Sequence, residues 1–295
     1  MKSSFQSIKK RSHPSSPSIK ATKKMRMSSP PGAPRKAIPA PNIAETDTDK
    51  WRLAKAMSTY RRYSPGLGHD GDGLYGALTN NSLKHLMEEL NVDGCRVVDI
   101  GAADGKVLLA ALACGAKMAH GVEVAGDALE NKFDSMIQEL RRDGVLSEEQ
   151  PARLKCRVNV AHLPSGCGDN VEGMLSHYFP EEYKRSKKKS VKNAKNAKNA
   201  KNAAGAKEGG ELVVIAVWHG FNVEAKQALL RSLCQSQMVE KFVVVGPQNF
   251  PYGKSDEILE FLNDEKCKWK PRSLQNLVVK LSGGGETYRA TVIGK

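Results

Sequence analysis

No apolar run in this 295-residue chain approaches the ~20 residues that a membrane-spanning helix needs, so no membrane partner is expected. The N-terminus also lacks the apolar stretch of about 7–15 residues that marks a secretory signal. Cysteine is sparse. The six, Cys95, Cys114, Cys156, Cys167, Cys234 and Cys267, form no Cys-x-x-Cys pair and no zinc spacing. They are therefore expected to be buried, reduced thiols in a reducing compartment, with no metal site. Acid is missing from residues 1–44, which hold ten Lys/Arg and almost no large apolar side chains. Such a segment buries too little surface to offset its ordering entropy. Residues 1–45 are therefore expected to form a disordered, basic Ser/Pro/Lys-rich tail.

The net charge of +14 is confined to two places. One is that tail. The other is residues 184–208, with ten Lys/Arg and one acid, which leaves 26 Lys/Arg against 31 Asp/Glu elsewhere, a net −5. Inside the second segment Lys-Asn-Ala repeats four times from Lys192 to Ala203. A period of three fits neither a helix nor a solenoid unit, so this is a low-complexity basic loop interrupting a domain. Cationic segments attract a nucleic-acid backbone through counterion release without reading its sequence; the competing role for the loop is a solvated spacer. Ile8-Lys9-Lys10-Arg11 and Lys20 to Arg26 look like nuclear-import patches. The alternative is an organelle transit peptide, but those favour Arg in an amphipathic helix, whereas this tail favours Lys and is broken by Pro14, Pro17, Pro30, Pro31 and Pro34.

Elsewhere the pattern alternates between helix and strand. Leu83, Leu86, Met87 and Leu90 share a face, which predicts a helix over 79–90 capped by Asn80 or Asn81. Strands are predicted at 96–100, 118–124, 154–160, 212–217 and 242–245, with helices at 106–113, 127–142, 223–233 and 255–262. The runs 274–281 and 287–293 flank Ser282-Gly283-Gly284-Gly285 and read as a hairpin. Residues 46–90, with Trp51, Arg61, Arg62 and Tyr63, form a helical N-terminal cap region, and 91–295 the core. Alternating strands and helices imply a mostly parallel sheet with right-handed crossovers.

Ligands of such sheets bind outside the carboxyl ends of the strands, at the topological switch. The first strand ends in Asp99-Ile100-Gly101-Ala102-Ala103-Asp104-Gly105. Gly101 permits a tight turn and Gly105 opens the next helix without a Cβ. Asp99 at the strand tip can meet an ammonium group. Glu123, ending the second strand, can accept both hydroxyls of a ribose. A dinucleotide would want glycine where Ala103 stands, and Asp99 and Asp104 would repel its pyrophosphate. S-adenosylmethionine (SAM) has no phosphate and carries an α-ammonium and a sulfonium, so acids suit it.

Five parallel strands closed by an antiparallel pair resemble a class I methyltransferase, a Rossmann-like seven-stranded sheet that is mostly parallel with a C-terminal antiparallel hairpin. The block Val97 to Leu109, continuing to Gly121-Val122-Glu123, resembles more closely the disruptor-of-telomeric-silencing family, non-SET lysine methyltransferases of histone H3. Leu74-Tyr75-Gly76-Ala77-Leu78-Thr79 is similar to that family's Tyr-Gly-Glu-x-Thr segment. Val214 to Leu230 is similar to its fourth strand and following helix, with Phe221 and Glu224 matching. The family's Glu is Ala77 here, and its paired Asn falls at Val217-Trp218. Its adenine-contacting acid after the third strand has no counterpart at Ala161-His162-Leu163.

The resemblance implies a cofactor site of Tyr75, Thr79, Asp99, Gly101, Ala102, Gly105 and Glu123, with SAM as cofactor. Trp218 and His219 lie where class I enzymes place substrate. Trp218 is a candidate wall for an alkyl channel and His219 a candidate base; the competing roles are a core tryptophan and a solvent-facing histidine. The expected function is histone lysine N-methylation on nucleosomal H3, in the nucleus, with the basic segments on DNA. The alternatives are RNA or another protein as acceptor, or an inactive fold acting as a binding module. The chain has neither an Asn/Asp-Pro-Pro-Tyr/Phe motif nor paired catalytic cysteines of RNA base methylation. Sequence does not fix the oligomeric state.

Overall fold

Buried aliphatic runs separated by capped helices give seven strands and seven helices among the described residues. The computed structural model describes residues 45–64, 77–163, 170–180, 210–247, 252, 254–263, 267–281 and 287–295. The tail 1–44, the Lys-Asn-Ala tract, Tyr75 and residues 282–286 lie outside them. The helices are α1 (Glu45–Tyr63), α2 (Asn80–Leu90), α3 (Lys106–Ala113), α4 (Ala128–Arg142), α5 (Val171–Tyr178), α6 (Val223–Cys234) and α7 (Ser255–Leu262). The strands are β1 (Arg96–Ile100), β2 (Met118–Val122), β3 (Ala152–Lys155), β4 (Leu212–Val217), β5 (Val239–Gly246), β6 (Ser273–Lys280) and β7 (Thr287–Gly294). Among the described residues no helix is long and apolar enough to cross a membrane.

The sheet runs β3-β2-β1-β4-β5-β7-β6. β3 to β5 are parallel neighbours, whereas β7 lies antiparallel between β5 and β6. This is the seven-stranded class I methyltransferase arrangement with its closing hairpin. The chain builds outward from β1 in one direction through β2 and β3, then resumes on the other side with β4. The carboxyl ends of β1 and β4 therefore flank the switch point.

Alternation along each strand sends side chains to two cores. Val97, Ile215, Val243 and Val279 join α1 to α4 on one face. Val98, Ile100, Val214 and Val244 join α5 to α7 on the other. α3 is apolar on every side, Val107 to Ala113 all being buried, because it lies between the sheet, α1 and α2. α4 carries Phe133, Met136, Ile137 and Leu140 on one buried stripe.

Several local expectations need correction. The cap of α2 is Thr79, whose hydroxyl accepts from Ser82 N at 3.3 Å, and not Asn80 or Asn81. β3 stops at Lys155, short of Val160, because Arg157 turns to φ 62 and donates its N–H to Ala125 O at 3.0 Å. Val158 then bonds back to Glu123 O, and Asn159 caps a short 3₁₀ turn, Val160–His162. α5 was not anticipated, although Asn170 caps it through Gly173 N at 2.7 Å. The cysteines are not all reduced: Cys234 and Cys267 form a disulfide, while Cys95, Cys114 and Cys156 are thiols outside any disulfide. The pairing joins the end of α6 to the segment before β6, two segments that hydrogen bonds from Lys268 N and Trp269 N to Cys234 O already hold together.

Candidate cofactor site

The turn after β1 is built from three consecutive left-handed positions at alternate residues: Gly101 at φ 77, Ala103 at φ 46 and Gly105 at φ 85. Two of them require glycine for space as well as for conformation. A Cβ on Gly101 would stand 2.5 Å from the Phe221 ring, and one on Gly105 2.3 Å from that of Phe133. Gly101 N and Ala102 N both donate to Val122 O, at 2.9 and 3.1 Å, which ties the turn to the end of β2. Phe221 follows the 3₁₀ turn Trp218–Gly220 at the end of β4, so the loops from β1 and β4 meet at the switch point.

Two acids close the neighbouring strands. Asp99 is 1 % exposed, and its Oδ1 has no hydrogen-bond partner among the described residues. Burial, followed by the charge of Glu123, pushes its carboxyl up to about 8. Glu123 is also buried, but it is well supplied with donors. Oε2 accepts from Ala103 N at 2.7 Å, and Oε1 from Val124 N at 2.7 Å and Ala125 N at 3.2 Å. A carboxylate offers about four lone-pair sites, so acceptor capacity remains on Oε2.

Asp104, 2 % exposed, faces the N-terminal helix. Its Oδ1 accepts from Tyr60 Oη at 2.8 Å, its Oδ2 accepts from Ser64 Oγ, and Lys132 Nζ lies 3.2 Å from Oδ2. Burial and the Asp104 charge hold the Tyr60 phenol far above its ordinary range, so it remains a donor. Lys106 opens α3 with its ammonium 5.4 Å from the Tyr60 ring centroid and donates to Leu78 O at 2.6 Å. Sequence spacing gave no sign of this cluster, because Tyr60 and Asp104 are 44 positions apart.

The remaining expected residues fall as follows. Gly101, Ala102, Gly105, Asp99 and Glu123 converge at the ends of β1 and β2. Thr79 is used as the cap of α2, its Oγ1 also donating to Ser82 Oγ at 3.0 Å, which accounts for it without a ligand. Tyr75 lies outside the described residues. Trp218 is 1 % exposed, packed edge-on to Phe242 at 6.3 Å, with Lys226 Nζ 5.7 Å from its ring. It is packed as a core tryptophan in this structure, and Gly246 of β5 leaves room for the indole to fold inward. His219 is half-buried, its ring edge-on to Tyr288 of β7 at 5.4 Å.

The donor set fits a ligand that carries a cation and vicinal hydroxyls. A buried carboxyl with an unpaired oxygen accepts an ammonium, and a second acid one strand away retains capacity for a hydroxyl. The same acids oppose a pyrophosphate. Among the described residues no group of three metal-ligating side chains occurs.

No family model matches the chain, and no curated protein matches it. Solved structures do resemble it. Magnesium protoporphyrin IX methyltransferase from Synechocystis PCC 6803, with bound SAM, is 12 % identical with a TM-score of 0.43, over 87 % of this chain and 100 % of that one. The same enzyme with bound SAH is likewise 12 % identical at 0.43, over 85 % and 98 %. TrmN from Thermus thermophilus is 16 % identical at 0.42, over 80 % of this chain and 52 % of that one. All of these likenesses are distant, and none bears on which acceptor this chain serves.

Proposed function

We propose that this chain is a SAM-dependent methyltransferase, and that its acceptor is a lysine of nucleosomal histone H3. The observation that carries the cofactor reading is the buried Asp99 carboxyl with an unpaired oxygen, beside Glu123 at the sheet's switch point. Asp99 gives up its proton to hold the α-ammonium. Glu123, already aimed by three backbone N–H groups, accepts from the ribose. Bound SAM supplies a methyl group already activated by its sulfonium. The chain's own residues mainly orient the reactants and exclude water, which is worth roughly 7–11 kcal/mol of barrier. A lysine acceptor must arrive neutral, at a cost of about 4.6 kcal/mol from pKa ~10.4 to pH 7. His219, at the end of β4, is the base on hand for that proton.

The acceptor reading draws support from the Val97–Leu109 block and from the two cationic segments beside an otherwise acidic chain. Those segments hold the phosphate backbone while the site reaches protein beside it, and the import-like patches in the tail are the support for a nuclear location. The burial of Trp218 removes one feature of the acceptor side from this reading. Labelled methyl transfer tested over nucleosomes, free histones and total RNA decides between acceptors. Label on H3 in intact nucleosomes is expected. Label in RNA alone moves the acceptor to RNA, and cofactor binding with no transfer to any of them makes the chain a binding module.

A further inference from the structure

Ala103, at φ 46, occupies the left-handed conformation that is strained for an L-residue, and it does so in the middle of the cofactor turn. Such strain persists only where the surroundings over-determine it. Two restraints act here. Ala103 N is held by Glu123 Oε2 at 2.7 Å. The next residue, Asp104, is clamped by Tyr60, Ser64 and Lys132. Two of those three donors come from the end of α1, a helix that packs on α3 and α4. A buried carboxylate with three donors is far stiffer than the turn would be alone, since releasing any of them leaves charge desolvated.

We propose that Tyr60 and Ser64 are positioning residues for the cofactor site. Acting through Asp104, they keep Ala103 left-handed, and so keep Glu123 aimed for the ribose. This rests on reading the turn as a SAM site. α1 is then part of the binding apparatus although it need not touch the ligand. When the clamp loosens, Ala103 relaxes toward negative φ, its N–H leaves Glu123, and the acid loses one of the three groups that orient it.

The test is calorimetric titration of the full chain with S-adenosylhomocysteine, with thermal unfolding followed on the same samples. Tyr60→Phe is expected to weaken binding about tenfold, the loss of one hydrogen bond to a buried charge. Adding Ala103→Gly to Tyr60→Phe is expected to recover most of that affinity, because glycine takes positive φ without support. A purely structural role for Tyr60 predicts a lower melting temperature with unchanged affinity, or a loss that Ala103→Gly does not recover; either result overturns the proposal. Should Tyr60→Phe fail to fold, Ser64→Ala removes the other hydroxyl and carries the same pair of expectations. Absence of binding by the wild-type chain defeats the cofactor reading itself, a different outcome from binding that ignores Tyr60.

Discussion

Asp99 and Glu123 close adjacent parallel strands of the sheet, and the charge of Glu123 adds to burial in keeping the Asp99 carboxyl protonated up to about pH 8. An unpaired, buried acid beside another acid destabilises the empty fold. Its survival at the strand tip makes sense if a cation is to be bound there.

Asp99→Asn is therefore expected to stabilise the ligand-free protein while weakening SAM by about 1–3 kcal/mol. The sign follows from linkage. The folded pKa lies above the ordinary 3.8, so stability is fully present below that value and is lost as pH rises toward 8. The advantage of the Asn variant should be absent near pH 4 and grow to a few kcal/mol at pH 8, as read from urea unfolding at both. An Asn variant less stable than wild type at pH 8 would contradict the account.

Cofactor binding should show the same proton. Below about pH 8 each ammonium bound displaces one proton from Asp99, so apparent affinity should rise about tenfold per pH unit and then level off. Titration calorimetry in buffers of different ionisation enthalpy counts that proton directly. Equal heats in all buffers at pH 7 would mean that Asp99 is already ionised.

His120 gives the opposite slope. It is buried in β2, stacked on Phe179 at 4.2 Å with its Nε2 unpaired among the described residues, and burial, then the charge of Arg153, lowers it to about 3. A depressed folded pKa leaves stability intact above 6.5 and removes it as pH falls, by about 2 kcal/mol at pH 5. Between pH 4 and 6.5 the slopes from Asp99 and His120 largely cancel, and above 6.5 only that of Asp99 remains. His120→Leu should uncover the Asp99 slope across the whole range. A pH profile unchanged by His120→Leu would show that the histidine is not buried neutral.

The bounds of β1, α3, β4 and α7 match the sequence pattern to the residue. Alternation at Leu154, Cys156, Val158 and Val160 persists past β3 for another reason. Those side chains stay buried while the backbone bonds to the β2 loop, so the period outlives the ladder. α5 had a legible signal in Asn170 followed by Val171, Met174 and Leu175, spaced for one helical face. The strand-tip acids and glycines were legible because the first βα turn is local. The Tyr60–Asp104 clamp and the Cys234–Cys267 pairing were not, since tertiary packing alone brings those residues together. Its position after β4 points Trp218 toward the acceptor side, and only the space left at Gly246 decides that the indole folds inward.

Trp218→Ala should accordingly act on stability. A buried tryptophan cut to alanine typically costs about 3–5 kcal/mol. The loss is compounded by removing the ring beneath the Lys226 ammonium, in a side chain only 3 % exposed. Chemical unfolding should show that loss, with S-adenosylhomocysteine affinity per folded molecule little changed. Wild-type stability combined with reduced turnover would restore Trp218 to the acceptor side.

The basic tract offers a test of the partner that leaves the fold untouched. Replacing Lys192, Lys195, Lys198 and Lys201 with glutamine removes four of the ten cations in residues 184–208 and no apolar side chain. If these lysines neutralise phosphates, each contact contributes about −0.9 to the slope of log affinity against log salt on duplex DNA. The variant should then lose up to about 3–4 units of slope on nucleosomes, bind more weakly at low salt, and converge with wild type as salt rises. Methyl transfer to free histones, which needs no DNA contact, should change far less than transfer to nucleosomes. A slope equal to that of wild type would make the tract a spacer. A loss on free histones as large as on nucleosomes would mean that the lysines act on the site and not on the nucleic acid.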